Sequence, residues 1–426
     1  MFVGLAPCAF SSAAEPGEKT DEHHQNSPQP PAPAAPEAEA STERPEGADT
    51  EFALVPFVGG SSDVGYGGGY MASLAELEPG REPFVYRIET SGSITVSKTD
   101  GVFRVPYLDV NLRWRFPHVI EDRLGLDLRV SFTRESTLKY YGLGNASTIP
   151  PGADPGAPEY EHGRVHPSLK VAWDYRLRPW VFAFGVSYTQ NWFEVPPDSQ
   201  LALDMQSDQA YVRDLLGDAE YHGVPELSVA VAWDTRDDEV SPRRGVYVSQ
   251  KFDVTPGTFG GSSYRFGRWG SSARVYVPLV PERRRLVLAM RATTDLLIGA
   301  APFYELARYD DTFAIGGSRG VRGIPAQRYY GKIKAFANFE LRSELFALNV
   351  VGDDWRFGAV AFADVGRLWA DYHSHPDLDG TTLGLKSGFG GGLRVAAGTS
   401  FVVRYDLAWS PETQRTSSYL AAGHMF

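Results

Sequence analysis

A glycine-rich stretch at 316–325, with the sequence GGSRGVRGIP, surrounds Arg322 and defines the chemistry expected of that residue. Its four glycines lack a β-carbon, so the backbone can turn tightly and direct Arg322 into the protein. A guanidinium buried in this way needs carboxylate partners, because an unpaired charge out of water is costly. The stretch therefore predicts an ion-paired anchor.

Two acidic residues further along the chain are the candidate partners, Glu340 and Asp364. In KAFANFELR (334–342) and VAFADVG (360–366), small or apolar residues alternate with polar ones, which puts both carboxylates on the polar faces of two strands. Adjacent strands lie about 4.7–4.9 Å apart, so the two acids can flank one guanidinium. An alternative remains open, in which each acid is a solvated residue paired with a nearby arginine, such as Arg342, Arg356 or Arg394.

Other combinations of reactive residues do not point to catalysis. His373 and His375 lie in a predicted surface loop, and no third metal ligand follows at a recognisable spacing. No nucleophile, base and orienting residue come together in a known pattern. We therefore predict neither an enzyme nor a metal or cofactor site.

The elements that position Arg322 and its partners are predicted from a period-two pattern that begins near residue 52. Apolar residues alternate with polar ones, and the polar face carries charges of both signs. A wet lumen and a lipid-facing exterior explain this pattern better than a soluble sandwich does. The fold predicted is all-β, a sixteen-stranded antiparallel transmembrane barrel. Its strands are predicted near 52–60, 64–75, 84–97, 101–116, 122–137, 161–176, 179–192, 223–235, 243–255, 265–279, 284–298, 331–346, 355–370, 386–397, 399–409 and 416–426.

The lengths of the connections predict the orientation. The long ones, near 138–160, 193–222, 299–330 and 371–385, all follow odd-numbered strands. If the chain enters from the periplasm, these loops are extracellular, and 316–325 lies in one of them. The segment 201–217 is predicted to form a short helix in an outer loop.

Composition separates the chain into three parts. Residues 1–14 resemble the second half of a signal peptide, residues 15–51 are a polar tail predicted to be disordered in the periplasm, and 52–426 form the barrel. The net charge of -12 argues against a nucleic-acid partner. No apolar window of about 18 residues is present, and the mean hydropathy of -0.27 suits a barrel.

Several motifs resemble the outer-membrane protein assembly superfamily, which includes the BamA/TamA family of bacterial surface antigen barrels. Its loop motif, Val-Arg-Gly, matches Gly320, Val321, Arg322 and Gly323, although Ile324 replaces the usual aromatic residue. Further matches are Asn338-Phe-Glu340, Phe362-Ala-Asp364-Val-Gly366, Gly390-Gly-Gly-Leu-Arg394 and Arg404-Tyr-Asp406. The resemblance implies an inward-folded extracellular loop in which Arg322 contacts Glu340 and Asp364.

The end of the sequence resembles the aromatic-terminated signal by which such barrels are recognised for insertion. Tyr419, Gly423 and Phe426 carry this similarity. Family members that insert or secrete proteins carry periplasmic POTRA domains, whereas only a polar tail precedes this barrel. The chain thus resembles a POTRA-less member.

The resemblance predicts a protein of the bacterial outer membrane that assists insertion or translocation of proteins or lipids. The expected partners are outer-membrane lipid, and either unfolded outer-membrane proteins or a separate periplasmic chain. The closure between the first and last strands is expected to be weak, because Gly59, Gly60 and a glycine-rich second strand flank it. Barrel curvature is an equal explanation of those glycines. The alternative function is a passive pore or a structural barrel without a client.

Overall fold

The computed structural model describes residues 49–78, 81–99, 101–120, 123–149, 154, 156–280, 286–309, 312–313, 315–350, 353–397 and 401–426. The predicted leader at 1–14 and most of the predicted tail lie outside these ranges. Residues 49–51, expected in the tail, instead belong to the first strand. The barrel thus begins three residues earlier than the sequence pattern indicates.

Sixteen long strands make up the wall within the described ranges. They are β1 (Asp49–Ser61), β2 (Gly65–Glu78), β3 (Arg81–Thr99), β4 (Val102–Ile120), β5 (Leu124–Lys139), β6 (Glu161–Leu177), β7 (Trp180–Glu194), β8 (His222–Asp234), β9 (Gly245–Thr255), β10 (Arg265–Pro278), β11 (Leu286–Ala300), β12 (Ile333–Val350), β13 (Asp353–Trp369), β14 (Lys386–Ala397), β15 (Phe401–Ser410) and β16 (Arg415–Ala422).

Each strand pairs antiparallel with the next one in the chain, and β1 also pairs with β16. The all-β fold is therefore a closed sixteen-stranded barrel, as predicted. The four longest connections follow β5, β7, β11 and β13, which confirms the predicted parity. We call the end of the barrel that carries them the loop end, and the opposite end the turn end.

The two faces of the wall differ as the alternation predicts. On β4, Asp109 and Asn111 are buried inside the barrel, whereas Val110 between them is 42% exposed on the outside. On β8, Leu227 and Val229 are likewise more than half exposed. Because apolar side chains cover the outside and charged ones fill the inside, hydrocarbon is the natural surrounding of this wall. No helix in the described part of the chain is long and apolar enough to cross a membrane.

A cap of short helices covers the loop end. The predicted single helix at 201–217 is two helices, α1 (Gln200–Met205) and α2 (Ala210–Leu216), and α3 (Phe303–Ala307) and α4 (Pro376–Asp379) follow in later loops. Side chains of these loops form one buried apolar cluster, in which Leu216, Phe303 and Leu306 are fully buried. The cap is thus a packed core that the loops form together with residues of the wall at this end.

The last strand ends before the sequence does. Pairing with β15 stops at Ala422, and Gly423 adopts a φ of 78°, which turns the backbone out of the wall. Met425 and Phe426 then pack inside the barrel against Tyr276 and Val287. The prediction that the strand continues to residue 426 is wrong, because a positive φ at this glycine interrupts the extended backbone.

Candidate functional site

The connection between β11 and β12 folds into the lumen, and we call its residues 315–332 the arginine loop. Gly316, Gly317 and Gly323 have φ values of 127°, 75° and 91°, a region that side chains with a β-carbon rarely adopt. Gly317 N donates a hydrogen bond of 2.8 Å to the carbonyl oxygen of Ile324, which closes the turn. Val321 and Ile324 are fully buried in an apolar cluster with residues of the wall. These contacts fix the direction in which Arg322 points.

Arg322 lies at the centre of the lumen and has no solvent exposure. Its Nε and Nη2 donate to Asp364 Oδ2 and Oδ1 over 2.8 and 3.0 Å, a bidentate pair. Its Nη1 donates to Glu340 Oε1 over 2.7 Å. The structure therefore brings Arg322, Glu340 and Asp364 together, as the motif resemblance implies. The alternative pairing is also partly present, because Arg342 Nε donates to Glu340 Oε2 over 2.8 Å.

Two contacts of Arg322 are absent from the sequence prediction. Asp406 on β15 is a third carboxylate partner and accepts from Nη1 over 3.2 Å, and the guanidinium stacks 3.4 Å from the ring centroid of Phe362. Alternation along Arg404-Tyr-Asp406 would have placed Asp406 in the lumen. Asp406 is far from Arg322 in sequence, however, and the local pattern does not predict a contact between the two residues.

A glycine of β14 makes room for the arginine loop. A β-carbon on Gly388 would lie 1.8 Å from the carbonyl oxygen of Arg322, far inside van der Waals contact. The loop backbone therefore rests directly on the wall at this position. Gly388 lies just before the motif at 390–394, and its physical role is to let the loop approach.

The closure between β1 and β16, which we call the seam, is the weakest junction of the wall. Only two residue pairs join these strands in the described structure, Gly60 with Leu420 and Ser61 with Tyr419. By contrast, β15 and β16 share eight pairs, and β1 and β2 share thirteen. Residues 49–59 of β1 thus present an edge that β16 does not pair. The closure that the sequence predicts to be weak is thus observed as a short run of paired residues.

The arginine loop is hydrogen-bonded to β16 and to the turn that follows β1. Gly323 N donates to Tyr419 Oη over 3.0 Å, and Ala326 N donates to Asp63 Oδ2 over 3.2 Å in the turn between β1 and β2. Burial raises the pKa of Asp63 to about 7, and the hydrogen bond from Ala326 opposes part of that rise. The loop that holds Arg322 therefore also contacts the junction that is easiest to open.

The remaining predicted residues lie close to this assembly. Asn338 Nδ2 donates to the Gly320 carbonyl over 2.8 Å and to Asp364 Oδ1 over 2.8 Å, so it joins loop and wall. Phe426 accepts a hydrogen bond through its backbone oxygen from Arg342 Nη2, over 2.8 Å, inside the lumen. No cluster of three or more metal-binding side chains occurs among the described residues.

Comparisons with known proteins agree with this architecture. The family model described as the Omp85 superfamily domain matches residues 107–420. A search of curated protein sequences found no match. Among solved structures, BamA from Haemophilus ducreyi lacking POTRA domains 1-3 is similar, with a TM-score of 0.59 and 14% identity over 88% of this chain and 70% of that one. CdiB from Escherichia coli is also similar, with a TM-score of 0.52 and 13% identity over 89% of this chain and 68% of that one.

The two structural likenesses concern the fold, and the family match adds the sequence evidence. That match extends from β4 to β16 and includes the arginine loop, Glu340, Asp364 and Asp406. The described residues contain the barrel and its loops, and no POTRA domain lies among them. The chain belongs to the Omp85 superfamily.

Proposed function

We propose that this barrel assists the insertion or translocation of proteins or lipids at the outer membrane of a Gram-negative bacterium. Family membership and the likeness to BamA and CdiB barrels support this location and this class of function. In this function Arg322 has a structural role, since its guanidinium forms ion pairs that hold the arginine loop in place.

The seam is the observation on which the proposal rests. Two residue pairs close it, and β16 turns inward after Ala422, which leaves the edge of β1 at 49–59 without that neighbour. An unpaired strand edge offers backbone N–H and C=O groups to an incoming extended segment. An unfolded outer-membrane protein is a suitable client, because it must form strands without leaving those groups unpaired in lipid.

The contents of the lumen favour this function over a passive pore. Arg322, Glu340 and Asp406 have no solvent exposure, so the arginine loop packs tightly against the wall at β12 and β15 inside the lumen. The cap covers the loop end with a packed apolar core. A pore that conducts ions steadily needs a wet path, and both features oppose one.

A cross-link across the seam tests the proposal. Ser62, the first residue after β1, donates through its N to the Ser418 carbonyl over 3.1 Å, so Ser62→Cys with Ser418→Cys is suited to a disulfide across the seam. The variants carry Cys8→Ser, which removes the native thiol. Purified protein in liposomes is assayed for the insertion rate of an unfolded barrel and for lipid movement between leaflets. We expect the oxidised variant to lose the activity and to regain it on reduction.

The matched control is Ser131→Cys with Ser168→Cys, which joins β5 and β6 where the two hydroxyl oxygens are 2.7 Å apart. This pair belongs to a long register, so its cross-link should leave activity unchanged. Wild-type protein that neither speeds insertion nor moves lipid, yet conducts ions steadily, would instead identify a passive pore. Equal inhibition by both cross-links would also contradict a role for the seam.

A further inference from the structure

A small cavity lies inside the barrel near the turn end, below the cluster of Arg322. Its volume is about 80 Å³, and it is bordered by residues of β11 to β15, by His424 after β16 and by the turn between β8 and β9. A single water needs roughly 10–15 Å³ of such volume, so the space exceeds that of one solvent molecule. It can hold a small polyatomic group.

Arginines are the main charged residues in the lining of this cavity. Arg243, Arg342, Arg356 and Arg394 border it, and Glu344 is the one acid that does so among the described residues. Glu344 is occupied, because Arg243 Nη2 donates to its Oε2 over 2.8 Å. This concentration of cations is notable in a chain whose net charge is -12.

Two of these arginines retain buried donors without a hydrogen-bond partner among the described residues. They are Arg342 Nη1 and both Nε and Nη2 of Arg394, on side chains that are 7% and 5% exposed as residues. Arg394 Nη1 donates to Asp406 Oδ1 over 2.6 Å, and its Nη2 lies 3.7 Å from Glu340 Oε1, beyond hydrogen-bond distance. Those two acids already serve Arg322. Buried donors of this kind are costly unless a further acceptor approaches them.

We propose that the cavity binds a phosphate group, either as a free ion or as part of a lipid headgroup, through Arg342 and Arg394. The planar guanidinium presents several N–H groups in a fork that matches the oxygens of a phosphate. The guanidinium of Arg342 belongs to β12 and that of Arg394 to β14. The two groups therefore reach the cavity from strands on either side of β13. This site is separate from the proposed function, which depends on the seam.

Binding of inorganic phosphate to the purified full chain in detergent tests the site, with chloride at matched ionic strength as the reference. We expect saturable binding of phosphate that chloride does not reproduce. Arg394→Gln should weaken it by about tenfold to one hundredfold, which is the loss expected for charge-assisted hydrogen bonds. The control is Arg115→Gln, a buried lumenal arginine on β4 outside the cavity, and it should bind phosphate as the wild type does.

A second variant separates the site from general positive charge. Val402 borders the cavity and is 3% exposed, so Val402→Phe fills the space while every arginine remains. We expect it to abolish binding. A short-chain phosphatidylglycerol that displaces phosphate supports a lipid headgroup as the source, and no displacement supports the free ion. No phosphate-specific binding by the wild type, or equal loss in Arg115→Gln, overturns the proposal.

Discussion

Gly323 N donates a hydrogen bond to Tyr419 Oη over 3.0 Å, and this bond joins the loop inside the lumen to the last strand of the wall. Tyr419 is also one of the two β16 residues in the register of the seam. A displacement of either partner therefore acts on the other.

Tyr419→Phe removes the acceptor of that bond and leaves Gly323 N buried without it. We expect the free energy of unfolding to fall by about 1–3 kcal/mol, the range for an unsatisfied buried donor. The shift of the folded barrel on unboiled gels, followed against temperature, measures the change. Tyr405→Phe on β15 is the control, because Tyr405 is 39% exposed on the outer face. Equal midpoints for both variants would contradict the role of the bond.

Arg322→Ala leaves the carboxylates of Glu340, Asp364 and Asp406 without their shared cation. The expected loss of stability is about 3–5 kcal/mol, as for breaking a buried ion pair from one side. The arginine loop should also loosen, which single-channel recordings would register as larger conductance noise. Arg415→Ala, at an exposed position of β16, should change neither property. Unchanged gel migration together with unchanged noise would argue against anchoring by Arg322.

Gly388→Ala should displace the arginine loop without removing any charge. The new β-carbon would lie 1.8 Å from the carbonyl oxygen of Arg322, so the loop must move or the strand must bend. Proteolysis of the folded barrel would then cut within 315–332. Gly391→Ala on the same strand is the control, since its β-carbon would lie 3.3 Å from the Val360 carbonyl and needs only a small adjustment. Equal resistance of both variants to protease would show that the loop is held elsewhere.

Asp63 should make the contact between the arginine loop and the seam depend on pH. Its pKa in the folded protein is about 7 and its ordinary value is 3.8, so the protonated form fits the folded state better. The contribution to stability is therefore greatest at low pH and declines as pH rises from about 4 towards about 7. Melting midpoints across this interval test the effect. Asp63→Asn should flatten the decline, whereas Asp198→Asn in an exposed loop should not.

Local patterns predicted the wall of the barrel well. Period-two alternation placed Glu340 and Asp364 on lumenal faces, and loop parity placed 316–325 at the correct end. Alternation is a local pattern, so it does not predict which lumenal side chains of separate strands, such as β12 and β15, reach the same point inside the barrel. For this reason the pattern does not join Asp406, which lies on β15 two strands away from Asp364 on β13, to Arg322.

The end of β16 shows a second limit of the sequence pattern. Tyr419-Leu-Ala-Ala continues the strand pattern, but the positive φ of Gly423 is a property of the backbone and not of hydrophobic alternation. The inward course of Met425 and Phe426 depends on apolar contacts with β10 and β11, which are distant in sequence. Tyr419, Gly423 and Phe426 as an insertion signal remain a prediction.

The apolar cap at the loop end has a consequence for the membrane that holds the barrel. A wall of sixteen strands is wide enough in other barrels to leave an aqueous channel. Here the fully buried side chains of Leu216, Phe303 and Leu306 stand across one end of it. These side chains obstruct the loop end, so the circumference of the wall does not by itself make the barrel an open channel for small solutes.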